Sequence, residues 1–238
     1  MPPKDDHWRR TAAVFHERAD EYDSWYEDSL LFEIELAALN AARGHLRPPS
    51  VEVGCGPGRF TAALGIDMGI DPAFSPLVKA RQRGVVPIRA RGEELPLKDK
   101  SMGSLFLILT LCFIDHPRIV LRECHRVLKP GARLLVGLIP ASSSWGKSLT
   151  AKGQAGHPYY RFARLLTIQT VTDLLAHEGF DIVGGWSSLY QRPESLKNQE
   201  KPRRGLDERS GFSVIVAEKQ TAKVSPLSTM NSQDNTDP

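Results

Sequence analysis

The segment VEVGCGPGRF, residues 51–60, sets Gly54, Gly56 and Gly58 at alternate positions directly behind a short apolar run. Glycine has no Cβ, so such a loop can take left-handed backbone angles and let a flat or extended ligand lie almost on the main chain. A carboxylate, Asp71, closes the next apolar run, residues 66–70, just ahead of Pro72. Were the two runs adjacent strands of a parallel sheet, loop and acid would face one crevice, where a carboxylate accepts hydrogen bonds from both hydroxyls of a ribose. Each feature also has a plainer use, the glycines in a tight strand-to-helix turn and Asp71 as a turn former before proline. Two other nucleotide loops fit worse. A dinucleotide loop wants its third glycine at position 59, where Arg59 stands, and no Gly-Lys-Ser/Thr follows to make a phosphate-binding loop.

Apolar periodicity supplies the elements that must hold these residues in place. Ala12, Phe15, Ala19 and Tyr22, then Leu31, Ile34, Leu36 and Leu39, predict two amphipathic helices within residues 11–40, broken near Asp28 and Ser29. Strands are expected at 51–53, 66–70, 85–90, 105–111, 133–138, 180–186 and 212–218, with helices at 59–64, 75–83, 117–127 and 170–178. The alternation predicts an α/β fold, a doubly wound and mostly parallel seven-stranded sheet with an antiparallel C-terminal hairpin. Residues 1–45 are expected to form a helical cap segment, 46–219 the main domain, and 220–238 a polar disordered tail. The polar stretch 141–160 is expected to be a lid or substrate loop, and 197–210 a solvated charged loop.

Composition narrows the class. The chain has 238 residues, 41% hydrophobic and 25% charged, which is the mixture of a soluble globular protein. Basic residues number 31 against 28 acidic ones, too small a surplus to argue for nucleic acid. Cys55, Cys112 and Cys124 are odd in number and lack CxxC spacing, which speaks against a disulfide framework and a structural zinc, so no metal is expected. With no apolar run of membrane length and a polar start, MPPKDDHWRR, the expectation is a cytoplasmic protein without a membrane span.

Four stretches, VEVGCGPGRF, GIDPAFSPLVKAR, RGEELPLKDKSM and RVLKPGARLLVGL, stand in an order that resembles the successive motifs of class I S-adenosylmethionine-dependent methyltransferases. The similarity is to the small-molecule branch that includes ubiquinone- and menaquinone-biosynthesis C-methyltransferases, and it covers about residues 10–218, strongest from 51 to 138. It implies a Rossmann-like methyltransferase fold, S-adenosylmethionine as cofactor and a small-molecule acceptor. It also implies roles for single residues. Glu52 would orient the glycine loop or meet the methionine ammonium, while Gly54 and Gly56 line the cofactor. Asp71 would take the ribose hydroxyls, with Pro72 and Ala73 bordering the adenine and Gly92 and Glu93 on the adenine side. Thr110 would face the methionine portion and the acceptor, and Tyr22 and Trp25 resemble a segment that folds over the cofactor. The chain departs from the pattern at Arg91, where relatives commonly carry an acid, and at Gly103, where they often carry Asp.

If the acceptor is a carbon or a phenolic oxygen, a side chain must also remove a proton. Asp115, His116, His157, Tyr159 and Tyr160 are the candidates by position, each with a capping or packing role as its alternative. Cys112 reads as a small buried apolar group rather than a nucleophile, because no activating base lies near it in sequence. The Asn/Asp-Pro-Pro-Tyr/Phe tetrapeptide common among methyltransferases of planar amino nitrogens is absent, TLCFIDHP standing in its place. A nucleic-acid partner is therefore not expected. The departures at Arg91 and Gly103 leave one alternative open, a non-catalytic ligand-sensing or protein-interaction module that keeps the fold.

Overall fold

The structure is a computed structural model that describes residues 7–44 and 47–221, so the expected tail lies outside it but for residues 220 and 221. Three helices open the chain where two were expected: α1 (His7–Glu17), α2 (Ala19–Ser24) and α3 (Leu30–Arg43). The break falls where the sequence puts it. Asp28 has a left-handed φ of 45°, and the Ser29 side chain caps α3 by accepting a hydrogen bond from the Phe32 backbone N–H.

Next come β1 (Ser50–Val53), α4 (Arg59–Leu64), β2 (Met68–Asp71), α5 (Phe74–Gln82), β3 (Val86–Arg89) and β4 (Met102–Ile108). They are followed by α6 (Pro117–Val127), β5 (Leu128–Leu138), α7 (Ser144–Gln154), α8 (Ile168–His177), β6 (Phe180–Ser188), β7 (Arg203–Arg204) and β8 (Phe212–Lys219). The strands form one sheet in the order β3-β2-β1-β4-β5-β8-β6-β7. The first five are parallel to one another, and β8 pairs antiparallel with both β5 and β6. The seven expected strands are joined by β7, a two-residue pairing with Trp186 and Ser187 inside the charged loop.

Period-two alternation sorts the core into two layers. Leu105, Leu107, Leu134, Val136 and Ile215 face one side of the sheet, against Val120, Leu121 and Cys124 of α6 and Val171 and Leu175 of α8. Their neighbours Phe106, Ile108, Leu135, Val214 and Val216 face the other, against Ile34, Ala38 and Leu39 of α3 and Phe60 and Leu64 of α4. The sheet is thus covered on both faces, which accounts for the near-continuous apolar runs of its central strands.

The expected lid loop is corrected. Residues 144–154 of that stretch form α7, because Ser143 caps it through the Gly146 N–H and because Trp145 and Leu149, one turn apart, are both buried. Polar residues around that pair hide its spacing. Chain order reverses between β1 and β4, one leading towards β2 and the other towards β5, and this reversal opens a crevice at the carboxyl ends of the strands.

Candidate functional site

Gly54, Gly56 and Gly58 all hold left-handed φ values, +78°, +51° and +75°, but three different neighbours explain them. A Cβ on Gly54 would run into the Thr110 side chain, and one on Gly58 would lie 2.8 Å from the Ala80 Cβ. Those two glycines therefore let the protein pack against itself. Only Gly56 leaves its Cβ position open, with the Tyr22 ring 3.6 Å away across the crevice. Asp71 reinforces the loop from β2: Gly56 N–H donates to one carboxylate oxygen at 2.9 Å and Ala73 N–H to the other at 2.8 Å. Burial raises the Asp71 pKa to about 6, and those two N–H bonds hold it from going higher.

A cavity fills this crevice. Of the residues expected at the cofactor, Tyr22, Gly54, Gly56, Asp71, Pro72, Gly92, Glu93 and Thr110 line it. Glu52 and Trp25 do not. The Glu52 side chain is sealed behind α4, where Thr61 donates to it at 2.5 Å, and burial pushes its pKa up to about 8. Sequence reading passed over the wall that α1 supplies, Trp8, Thr11, Ala12 and Phe15. Of these only Ala12 and Phe15 belong to the helical pattern in the sequence, and nothing in that pattern shows which loop they cover. Arg91, the departure from the family pattern, stacks its guanidinium 4.4 Å from the Trp8 ring and lies 3.2 Å from Glu93, so it fastens α1 over the cavity. Gly103 is remote from the site. It stands at the start of β4, where any Cβ would strike the Arg47 carbonyl and where its N–H donates to Pro49 at 2.8 Å.

The cap is pinned to the glycine loop by one buried acid. Asp23 of α2 accepts from Arg59 at 2.6 Å and from Arg83 at 2.8 Å, and Arg83 also donates to the Pro57 carbonyl. Burial raises its pKa, but the two guanidinium hydrogen bonds prevail and hold it below the ordinary aspartate value.

A second cavity adjoins the first, and the two share Tyr22, Leu109, Thr110 and Phe113. Its other walls are apolar or aromatic, including Trp25, Tyr26, Cys112, Tyr159 and Tyr160, and no side chain that lines it is charged. The candidate proton acceptors are divided. Asp115 lines the first cavity, with the His7 Nδ1 2.8 Å from one oxygen, though not aligned as a hydrogen bond, and Arg164 3.2 Å from the other. Tyr159 lines the second, but its hydroxyl already donates to the Arg18 carbonyl at 2.8 Å, and burial raises its pKa to about 12. His157 packs its ring 4.6 Å from that of Tyr160 outside both cavities, and burial lowers its pKa. His116 is an exposed residue at the start of α6, also outside both, because the chain turns away from the crevice after Asp115. Cys112 reaches the second cavity as a thiol whose pKa burial pushes up to about 12, which suits a packing group better than a nucleophile.

Known proteins resemble this chain in sequence and fold. Residues 51–136 match the model of a family described as methyltransferase domain. An uncharacterised protein of Mycobacterium tuberculosis is 33% identical over 200 residues, which is 82% of this chain and 70% of that one. Another, from Methanocaldococcus jannaschii, is 31% identical over 208 residues, 87% of this chain and 98% of its own. Among solved structures, a Thermotoga maritima S-adenosylmethionine-dependent methyltransferase, described as a possible histamine N-methyltransferase, superposes with a TM-score of 0.81. It is 30% identical and the match covers 88% of this chain and all of that one.

Proposed function

The chain belongs to the S-adenosylmethionine-dependent methyltransferases, and on that footing we propose that the first cavity holds S-adenosylmethionine and the second receives a small-molecule methyl acceptor. The observation that carries this reading is the shared wall: two cavities meet at Tyr22, Leu109, Thr110 and Phe113, the first with a carboxylate at the Asp71 end and the second lined mainly by apolar and aromatic side chains with none charged. Donor and acceptor in adjoining cavities meet at that wall.

The residues present fit the donor. Gly56 offers main chain with no Cβ in the way, and the Asp71 carboxylate, held by two backbone N–H groups, keeps lone pairs free for the ribose hydroxyls. Pro72 and Gly92 form a flat border for the adenine, Glu93 lies on its polar side, and Thr110 stands beside the methionine end. Gly54 acts by letting Thr110 approach, and Glu52 by holding α4 through Thr61. Bound S-adenosylmethionine supplies a methyl group on a sulfonium, ready for in-line displacement. What the chain adds is alignment, an effect of about 7–11 kcal/mol when the reacting atoms are well placed. Tyr22 closes the shared wall from the cap side, and an aromatic face turned to the sulfonium favours its positive charge by about 0.5–2 kcal/mol.

We assign the helical segment up to residue 45 to the cap and 46–219 to the transferase unit, with α1 and α2 as the covering part, since α3 packs on the sheet. The Thermotoga maritima neighbour is described as a possible methyltransferase of histamine, which supports a small acceptor here. Unpaired Cys55, Cys112 and Cys124 suit a reducing compartment, and we place the protein in the cytoplasm. The two departures that opened the non-catalytic alternative do not support it: Gly103 answers to packing and Arg91 to the Trp8 stack, so neither removes a site residue, and the want of an evident base is no obstacle where methyl transfer needs mainly alignment. Incubation of the protein with methyl-labelled S-adenosylmethionine and fractionated cell extract tests the reading. Label is expected in a small-molecule fraction, and label confined to protein or RNA would contradict it.

A further inference from the structure

No charged side chain lines the second cavity, and most of its polar side chains already have protein partners. Thr110 is turned on to the Val53 and Ile108 carbonyls at 3.1 and 3.0 Å, Cys112 donates to the Leu109 carbonyl at 3.4 Å, and Tyr159 donates to the Arg18 carbonyl at 2.8 Å. Tyr22 and Tyr26 differ from these. Their hydroxyls stand 3.3 Å apart, and neither has another hydrogen-bond partner among the described residues. Whichever of the two donates, the other keeps an O–H proton that no protein oxygen among those residues accepts. Burial raises the pKa of both phenols, which holds their protons in place at neutral pH. Tyr22 lines both cavities and Tyr26 the second, so the pair belongs to the wall where donor and acceptor meet. Glu35 of α3 is 1% exposed and does not line the cavity, and burial raises its pKa to about 8, which keeps it neutral at pH 7.

We propose that the second cavity selects an uncharged, largely apolar acceptor that offers a lone pair to the Tyr22–Tyr26 hydroxyl pair. The inference rests on the reading of that cavity as the acceptor site and names the class of the acceptor by its charge and polarity. An ammonium group entering the cavity meets no carboxylate on its wall, and a carboxylate or phosphate meets no Lys, Arg or His. Either ion gives up its hydration with nothing to replace it, a far larger penalty than a neutral molecule incurs. An apolar body gains from the same transfer, against Leu111, Leu138, Leu149 and Leu166 on one hand and the rings of Trp25 and Phe113 on the other. A pure hydrocarbon has one defect as a ligand: it covers the remaining phenol proton and leaves it without a partner. A ring nitrogen, an ether oxygen or a carbonyl oxygen removes that cost, because a buried donor left unmet is more expensive than a hydrogen bond is favourable. The bond also turns the polar end of the acceptor towards the wall that the two cavities share.

The test uses the full chain saturated with S-adenosylhomocysteine and titrated at pH 7 with two matched sets of probes. Quinoline is set against naphthalene, 1-naphthoate and 1-naphthylmethylammonium, and methoxybenzene against ethylbenzene, benzoate and benzylammonium. The neutral members are expected to bind at least about tenfold more tightly than either ion of their set. Quinoline and methoxybenzene are expected to exceed their hydrocarbon counterparts by about threefold or more. A double variant, Tyr22→Phe with Tyr26→Phe, should lose this second preference and still reject the ions. Binding of either ion as tight as that of the neutral probes, no binding by any neutral probe, equal binding of quinoline and naphthalene, or a lone-pair preference undiminished in the double variant would overturn the proposal. Should the variant fail to fold, the wild-type ranking decides alone. Failure of wild-type protein to bind S-adenosylhomocysteine strikes the donor site instead, so the two readings fail separately.

Discussion

Asp71 and Gly56 separate binding from packing at the level of single residues. On the proposed reading the Asp71 carboxylate is the form that would accept from ribose hydroxyls, and burial raises its pKa to about 6. Affinity for S-adenosylhomocysteine is therefore expected to rise as pH passes upward through that value, and Asp71→Asn to flatten the profile. The same substitution should weaken binding by about 10–100-fold at pH 7.5, or ~1.5–3 kcal/mol for a hydrogen bond to a charged group, as titration calorimetry reads it. Among the glycines, Gly56→Ala and Gly58→Ala both strain a left-handed φ, but Gly56→Ala should lower affinity the more, since its added carbon faces the cavity, and Gly58→Ala melting temperature the more, since its carbon meets Ala80. Sequence alone exposed this loop and the acid beside it, because their residue types are unusual for their places. It did not tell the three glycines apart, since what crowds Gly54 and Gly58 comes from Thr110 and Ala80, distant in the chain.

The elements divide into a sheet that was legible and a cap whose placement was not. Strands β1, β4 and β5 announced themselves through apolar runs, whereas α7 was concealed because a two-residue buried stripe, Trp145 and Leu149, lies among serines, lysines and glycines. The cap helices were visible as helices. Their seat depends on Asp23, Arg59 and Arg83, three residues that no local pattern joins. Asp23→Ala is expected to destabilise the protein by on the order of 2–3 kcal/mol, below the full cost of breaking a buried pair because both arginines reach solvent. It should also lower affinity for S-adenosylhomocysteine, as the cap loosens. The pH dependence has a definite sign. The folded Asp23 value is depressed, so its contribution is complete above the ordinary aspartate pKa and is lost as pH falls through the folded value. Melting curves of wild type and Asp23→Ala should differ by a constant amount at pH 5–7 and draw together as pH falls below the ordinary aspartate pKa, through the depressed folded value.

For the molecule as a whole, one topological feature organises the function. Reversal of strand order at β1 and β4 opens the crevice, the strand ends deliver Asp71 and Thr110 to it, and α1 and α2 roof it. A ligand that binds only this closed arrangement stabilises it by mass action, about 2.7 kcal/mol at a hundredfold excess over its dissociation constant. The most direct measurement is calorimetric titration of the full chain with S-adenosylhomocysteine, repeated on Asp71→Ala. One molecule is expected to bind per chain, with affinity reduced at least tenfold in the variant. Undiminished affinity in Asp71→Ala, or no binding to the wild type at millimolar ligand, would contradict the donor site placed here.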